Sequence, residues 1–459
     1  MTDTTPSKPH LAAGPFSDAS QLQEAREQAF AQTMDLVFER HPYYRERLAE
    51  LGLKRSDFAS LSDLPRLPLT SKADYMAAPE RFVLESQGLP LEMQTAWDTM
   101  YTTGSTAGRP TPFVSTSYDF FNTLELQRSM LLLRGVTPQD LIANLFPLTP
   151  TPHGAWIRVL HAAASLNIPV VCAMPGNPSP YFRLGNALDE VVALVGRSQA
   201  TILWGVPSYI QRILLRAAEL GQRWPKVRKV FVTGEALAES ARTQMQQALQ
   251  SVGAASAQIS ISYGATEMQG GMVECTPGSG LHNPLPAQLL IEVVDPASGQ
   301  PLPDGQTGAV VLTHLNRRGT VLLRYALGDL SVRSLSPCPA CGAVTDRLVQ
   351  TPSRHDALLK VKGMLVHPQA LIDHLDSRLA ARPYLLSVQH VQPGQPLSGD
   401  RLLLQLEGEG DAATQADLAA SIKAACGVTP EVEFVPSAAL APSGAGWKAK
   451  KFIDRRGAP

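Results

Sequence analysis

Between residues 155 and 265, short apolar, β-branched runs alternate with amphipathic stretches of helical period, and this alternation constrains the fold more than any other feature. Strands are expected at 168–172, 201–206, 227–233 and 258–263, and helices at 186–196, 208–220 and 238–251. Strand, helix, strand in that order predicts βαβ units, since a parallel neighbour is reached only by a crossover long enough to hold a helix. The pattern changes at 285–335, where apolar runs at 289–295 and 309–313 flank a turn-rich stretch and read as antiparallel strands. Beyond residue 355 the order is short strand, helix (368–379), two strands (386–391 and 402–406), helix (412–425) and strand (431–434).

The expected architecture is therefore α/β: a large N-terminal domain (21–354) of βαβ-type sheets plus antiparallel strands, and a small α+β C-terminal domain (355–459). A helical period runs from Gln21 through Phe38 and ends before Pro42, and the polar, Pro-rich residues 1–20 read as a flexible tail. Forty Lys and Arg against 41 Asp and Glu give a net charge of −1, which argues against nucleic acid as the main partner. No run approaches the ~18 apolar residues of a membrane span, and the first residues lack the basic-then-apolar pattern of a secretory signal, so the cytoplasm is expected. Five cysteines in 459 residues are no disulfide framework.

Three short stretches carry candidate chemistry. Residues 101–110 (YTTGSTAGRP) combine glycines, hydroxyls and one cation, which suits a phosphate cradle and equally an ordinary polar loop. The Tyr263-Gly264-Ala265-Thr266-Glu267 stretch follows an expected strand, where α/β proteins bind ligands, and its hydroxyl and carboxylate suit Mg²⁺ held against phosphate. Arg324-Tyr325-Ala326-Leu327-Gly328-Asp329 places a carboxylate after a glycine turn, where it can accept from a ribose diol or sit at a hairpin corner.

The ordered set of these stretches resembles the adenylate-forming enzymes, and within them the phenylacetate-CoA ligase family. Further support comes from Pro207-Ser208-Tyr209, Gly234-Glu235, Glu274-Cys275, Gly280-Leu281-His282, residues 338–342 (CPACG), residues 354–363 (RHDALLKVKG) and residues 448–454 (KAKKFID). The similarity runs from about residue 25 to 456. It implies an ATP-dependent aryl or arylacetic acid–CoA ligase, with a carrier protein or amine as the alternative acyl acceptor and a non-catalytic nucleotide-binding relative as a third possibility. On this resemblance Thr103, Gly104, Ser105, Thr106 and Gly108 would form the phosphate loop. Gly234, Glu235, Ala236, Tyr263 and Gly264 would hold adenine. Thr266 and Glu267 would sit at the α-phosphate and Mg²⁺, Asp329 and Arg354 at the ribose. Asp356 would be the hinge of a mobile small domain, Lys448 the catalytic cation, and Lys362 and Gly363 would touch CoA. Departures from the family pattern include Ala107 inside the phosphate loop, Ser353 before Arg354, Ala357 after Asp356, and Trp447 between Gly446 and Lys448.

Cys338 and Cys341 form a CxxC knuckle, which alone fits a metal, a redox pair or two plain thiols. Cys275 and His282 complete a Cys₃His set with no open position, hence structural zinc, which members of the family can carry. His153, Trp204 and Tyr209 are acyl-pocket candidates by position, Trp204 equally a core residue; Cys172 and Cys426 read as buried packing residues. The implied partners are a small carboxylic acid, ATP and CoA, with a homodimer as the commonest oligomer.

Overall fold

The computed structural model describes residues 16–101, 111–148, 154–176, 185–237, 239–354, 359–361, 364–366, 368–379, 382–392, 399–440 and 451–456. An antiparallel pair, β1 (Ala96–Tyr101) and β2 (Pro112–Thr116), precedes the main sheet. That sheet contains β3 (Ile142–Asn144), β4 (Val170–Cys172), β5 (Ile202–Gly205), β6 (Lys229–Thr233), β7 (Gln258–Ala265) and β8 (Gly270–Glu274). It continues through β9 (Leu281–His282), β10 (Leu289–Val294), β11 (Thr307–His314), β12 (Tyr325–Ser334), β13 (Arg347–Leu348) and β14 (Ser353–Arg354). The order is β10-β11-β12-β13-β9-β8-β7-β6-β5-β3-β4, with β14 also paired to β12. Pairing is parallel from β4 to β7 and antiparallel beyond it.

Helices Leu188–Ser198, Pro207–Glu219 and Glu239–Ser251 make the crossovers. They bury Val191, Ile213 and Leu249 with Leu203, Val230 and Val232 on one face of the sheet. The other face packs Trp204 and Phe231 against Leu126, Met130 and Val159. Burial on both faces is why these strands read as unbroken apolar runs, each large side chain contributing about 1.5–3 kcal/mol. Helix Ser117–Leu133 is anchored at its start: Thr116 caps the Asp119 N–H, and Asp119 accepts from Arg318 N (2.8 Å) and Gly319 N (2.7 Å). That fixes its next turns, including Gln127 and Met130, over β8.

After Arg354 come a β15 (Leu359–Val361)–β16 (Met364–Val366) hairpin and a four-stranded sheet. The latter has β17 (Tyr384–His390), β18 (Asp400–Glu407), β19 (Glu431–Val435) and β20 (Phe452–Asp454) in the order β19-β18-β17-β20. Helices Pro368–Leu379 and Ala412–Cys426 cover it around a separate core of Leu371, Leu375, Leu386, Leu404 and Ile422.

Some expectations need correction. The end of the 1–20 tail is docked: Phe16 is buried and bridges Val344, and Asp18 caps helix Ala19–Arg40. Cys172 and Cys426 are only half-buried. Among the described residues no helix is long and apolar enough to cross a membrane.

Candidate active site and metal centre

The carboxyl ends of β6 and β7 open onto a cleft of about 820 Å³. Gly234, Glu235 and Ala236 follow β6, Tyr263 and Gly264 close β7, Thr266 and Glu267 form the next turn, and Asp329 comes from β12; all line this cleft. The 263–267 stretch is not a loop: Tyr263–Ala265 remain in β7, which pairs with β8 across a tight 3₁₀ turn. Gly264 opposes Gly271 there, and a Cβ on Gly264 would stand 2.5 Å from the Gly270 carbonyl oxygen, so two backbones meet where a side chain cannot. Gly328 and Asp329 likewise lie inside β12, Gly328 at φ +80°, rather than at a hairpin corner. Asp329 is in register with Arg354 of β14, of which only the backbone is described, and accepts from the Tyr263 hydroxyl at 2.7 Å.

Glu267 is buried and held twice. The Tyr325 hydroxyl donates to its Oε1 at 3.0 Å, and His314 Nε2 donates to its carbonyl at 2.9 Å. The His314 tautomer follows from Nδ1 accepting the Leu322 N–H at 3.0 Å, and burial holds this imidazole neutral by pushing its pKa well down. Burial, then the Glu267 carboxylate, push the Tyr325 phenol up, so it stays a donor. Among the described residues Glu267 Oε2 has no hydrogen-bond partner, which suits a carboxylate facing a hard cation.

The lining also includes the apolar side chains of Trp204, Phe146 and Met130 and the polar ones of Gln127 and Arg158. Trp204 thus serves as core and as wall. Tyr209 does not line the cleft; it packs between the two cores flanking the sheet. Arg158 is fixed by Asp98 Oδ2 (3.1 Å), Gln269 Oε1 and His161 Nδ1 (2.9 Å), and burial lowers its pKa against the pull of Asp98. Burial and then Arg158 push His161 down to about 4. No motif flagged Arg158, Gln127, Gln269 or His314, and Tyr325 was given no role of its own although it lies inside the 324–329 stretch; Gln269 sits two positions after Glu267.

Thr103, Gly104, Ser105, Thr106, Gly108, His153, Asp356, Lys362, Gly363 and Lys448 lie outside the described residues. The neighbouring Lys451 is committed elsewhere, to both oxygens of Asp376 at 2.8 Å.

The four candidate metal ligands converge. The Sγ atoms of Cys275, Cys338 and Cys341 and a His282 ring nitrogen all lie within 4.8 Å of one another. Cys275 and Cys338 Sγ are 3.9 Å apart, and Cys341 Sγ is 3.5 Å from His282 Nε2. Tetrahedral zinc with bonds of about 2.3 Å to sulfur and 2.0 Å to nitrogen needs ligand atoms roughly 3.5–3.8 Å apart. His282 Nδ1 lies 3.1 Å from the carbonyls of both Val273 and Gly280, so it carries the ring proton and leaves the Nε2 lone pair for a metal. Cys275 and His282 do not share a simple loop: one follows β8 and the other ends β9.

Residues 99–316 match the model of the AMP-binding enzyme family. The phenylacetate-coenzyme A ligase of Thermus thermophilus is 26% identical over 98% of this chain and 99% of its own length. That of Escherichia coli is 25% identical over 79% of this chain and 78% of its own. A 2-hydroxyisobutyryl-CoA ligase in its postadenylation state superposes with a TM-score of 0.75 at 21% identity, covering 97% of this chain and 93% of that one. The same ligase in its thioesterification state, with CoA, gives 0.64 over 96% and 91%. Family match, full-length relatives and fold agree with the motif order and the cleft: the chain carries an AMP-binding enzyme region at residues 99–316 and resembles phenylacetate-CoA ligases over nearly its whole length.

Proposed function

We propose that the protein is an ATP-dependent acid–CoA ligase acting on an aryl or arylacetic acid. The observation that carries this reading is the convergence of the adenine, ribose and Glu267 motifs on one cleft that Trp204, Phe146 and Met130 also line. A carboxylate oxygen of the acid attacks the α-phosphorus of ATP, the bond to the bridging oxygen breaks, and pyrophosphate leaves. The CoA thiol loses its proton, attacks the acyl carbon and expels AMP, leaving the thioester. No protein nucleophile is needed; positioning and electrostatics carry the rate.

In this reading Thr266 and Glu267 serve the α-phosphate and its Mg²⁺, and Asp329 with Arg354 the ribose. Thr103 to Gly108 wrap the outer phosphates, and Lys448 stabilises charge as pyrophosphate departs. The unit from residue 355 onward turns about Asp356 between the half-reactions, bringing Lys362 and Gly363 to CoA. His153 contributes to the acid pocket. The Cys₃His cluster takes zinc as a structural ion that ties the 338–342 knuckle to β8 and β9. The enzyme works in the cytoplasm, where ATP and CoA are supplied, as a homodimer.

Pyrophosphate release from ATP, measured across aryl, arylacetic and short aliphatic acids with and without CoA, tests the reading. Turnover that needs both an acid and CoA is the expected result. Release independent of CoA would move the assignment to another acyl acceptor.

A further inference from the structure

Two stretches that stand out in the sequence, Pro207-Ser208-Tyr209 and Gly234-Glu235, meet in the fold. Each follows one of two adjacent parallel strands, with Gly205 of β5 in register with Val232 of β6. Helix Pro207–Glu219 starts without a cap of its own. Val206 offers no side-chain acceptor, Pro207 has no N–H, and Ile210 N already bonds the Val206 carbonyl at 2.9 Å. Glu235, 27 positions after Ser208, supplies what is missing. Its Oε2 accepts from Ser208 N at 3.1 Å, which seats a carboxylate at the positive end of a 13-residue helix. That helix is a firm anchor, since Ile210, Ile213, Leu214 and Ala217 are fully buried in the core on one face of the sheet.

The other end of this bond has few ties. After Thr233 the chain leaves β6 in a bend, with Gly234 at φ +91°. Among the described residues, the bond from Ser208 N to Glu235 is the one hydrogen bond that residues 234–237 make. Gly234, Glu235 and Ala236 all line the cleft, yet the Glu235 carboxylate is turned to the protein. One oxygen holds the helix; the other, Oε1, is enclosed, with almost no accessible surface and no partner among the described residues.

We infer that Glu235 is a positioning residue: it caps helix Pro207–Glu219 from the neighbouring segment and so fixes the 234–236 backbone where the nucleotide base is held, without touching the base. The inference rests on the ligase reading and changes the part Glu235 plays in it from ligand to support. Reach matters more than charge in this role. Gln keeps an acceptor at the same distance, whereas Asp keeps the charge and is one methylene short.

The test measures Kd for AMP by calorimetry, and KM for ATP in pyrophosphate release with the best acid of the panel and CoA, on the full chain. Glu235→Ala and Glu235→Asp should each weaken AMP and ATP by about three- to tenfold, the effect of one lost cap. The kcat and the KM for the acid should change little, and Glu235→Gln should stay close to the parent. Purine riboside triphosphate, which lacks the 6-amino group, separates support from contact: its KM should rise in the same proportion as that of ATP. A rise confined to ATP would mean that the carboxylate reads the amino group. Unchanged nucleotide affinity in Glu235→Asp, which also serves should Glu235→Ala fail to fold, would mean that the bond steadies the helix alone. Either result overturns the inference and leaves the ligase reading standing. A parent protein that binds neither AMP nor ATP overturns both.

Discussion

The Cys/His cluster and the nucleotide cleft share one sheet and are built in opposite ways. The cluster draws its ligand atoms from the end of β8, from β9 and from the knuckle before β13, and all four meet within 4.8 Å. Its parts are short, paired strands whose register leaves little choice of geometry: β9 is hydrogen-bonded to β8 on one side and β13 on the other. The cleft instead gathers its groups from β6, β7, β12 and the helices that flank them, and also touches Gln369 and Asp373 of the small unit. The Cys/His set is closed by neighbours within one sheet, whereas the cleft is assembled from parts belonging to two cores.

The largest expected effect tests that division from the cleft side. Lys448→Ala should lower the rate of acid-dependent pyrophosphate release by roughly 10²–10³-fold, the usual consequence of removing one group aimed at developing charge. Thioester formation from preformed acyl-AMP should be largely kept. Equal loss in both half-reactions would show that the lysine does not belong to one step, and the contrast with a static site would weaken.

Cys338→Ser approaches from the other side. Zinc content should fall from about one per chain to well below half, and stability should drop by at least about 2 kcal/mol, in line with loss of a bound metal. Metal analysis and thermal unfolding read both, and activity per folded molecule should be nearly unchanged. A zinc-free, stable parent protein would remove the cluster from the comparison.

Tyr325→Phe probes the cleft more gently, as it deletes a single hydrogen bond to the Glu267 carboxylate. The expected result is about a tenfold rise in the Mg²⁺ concentration needed for half-maximal adenylation, with little change at saturating Mg²⁺. Loss of kcat at every Mg²⁺ concentration would make Tyr325 a packing residue instead.

Much of the fold was legible because burial leaves a period in the sequence. Val230, Phe231 and Val232 are buried on both faces of a parallel sheet, and the run 227–233 announces it. The two-residue strands β9, β13 and β14 left no such trace, since their pairing depends on neighbours distant in sequence, about 65 residues between β9 and β13 and about 24 between β12 and β14. Within the site, Glu267 and Asp329 stood in recognisable stretches, and so did the tyrosines that hold them, but the pairings did not show: Tyr325 is 58 positions from Glu267, Tyr263 is 66 from Asp329, and Arg158 is 111 from Gln269. Whether an arginine is solvated or buried against a glutamine is decided by packing, and local sequence does not encode it. Tyr209 is a further case, since it follows a strand as expected yet packs against the cores and is absent from the cleft lining.

The smallest effect lies at the junction of cleft and core. His161 Nδ1 accepts from Arg158, and its pKa is pushed down to about 4, by burial first and then by that guanidinium. Neutral imidazole is therefore the folded form at pH 7, while the unfolded chain titrates near 6.5. Above that value neither state binds the proton, and the full stability is present. As pH falls from about 6.5 toward 4 the unfolded chain takes up the proton first, so stability declines, and below 4 the loss levels off. His161 is partly open to solvent, so the discounted loss is about 1 kcal/mol rather than the full linkage value. His161→Gln should flatten this segment of the stability–pH curve by that amount relative to the parent. An unchanged acid limb in the variant would mean that the Arg158 network tolerates a second positive charge, and that this wall of the cleft is looser than its hydrogen bonds imply.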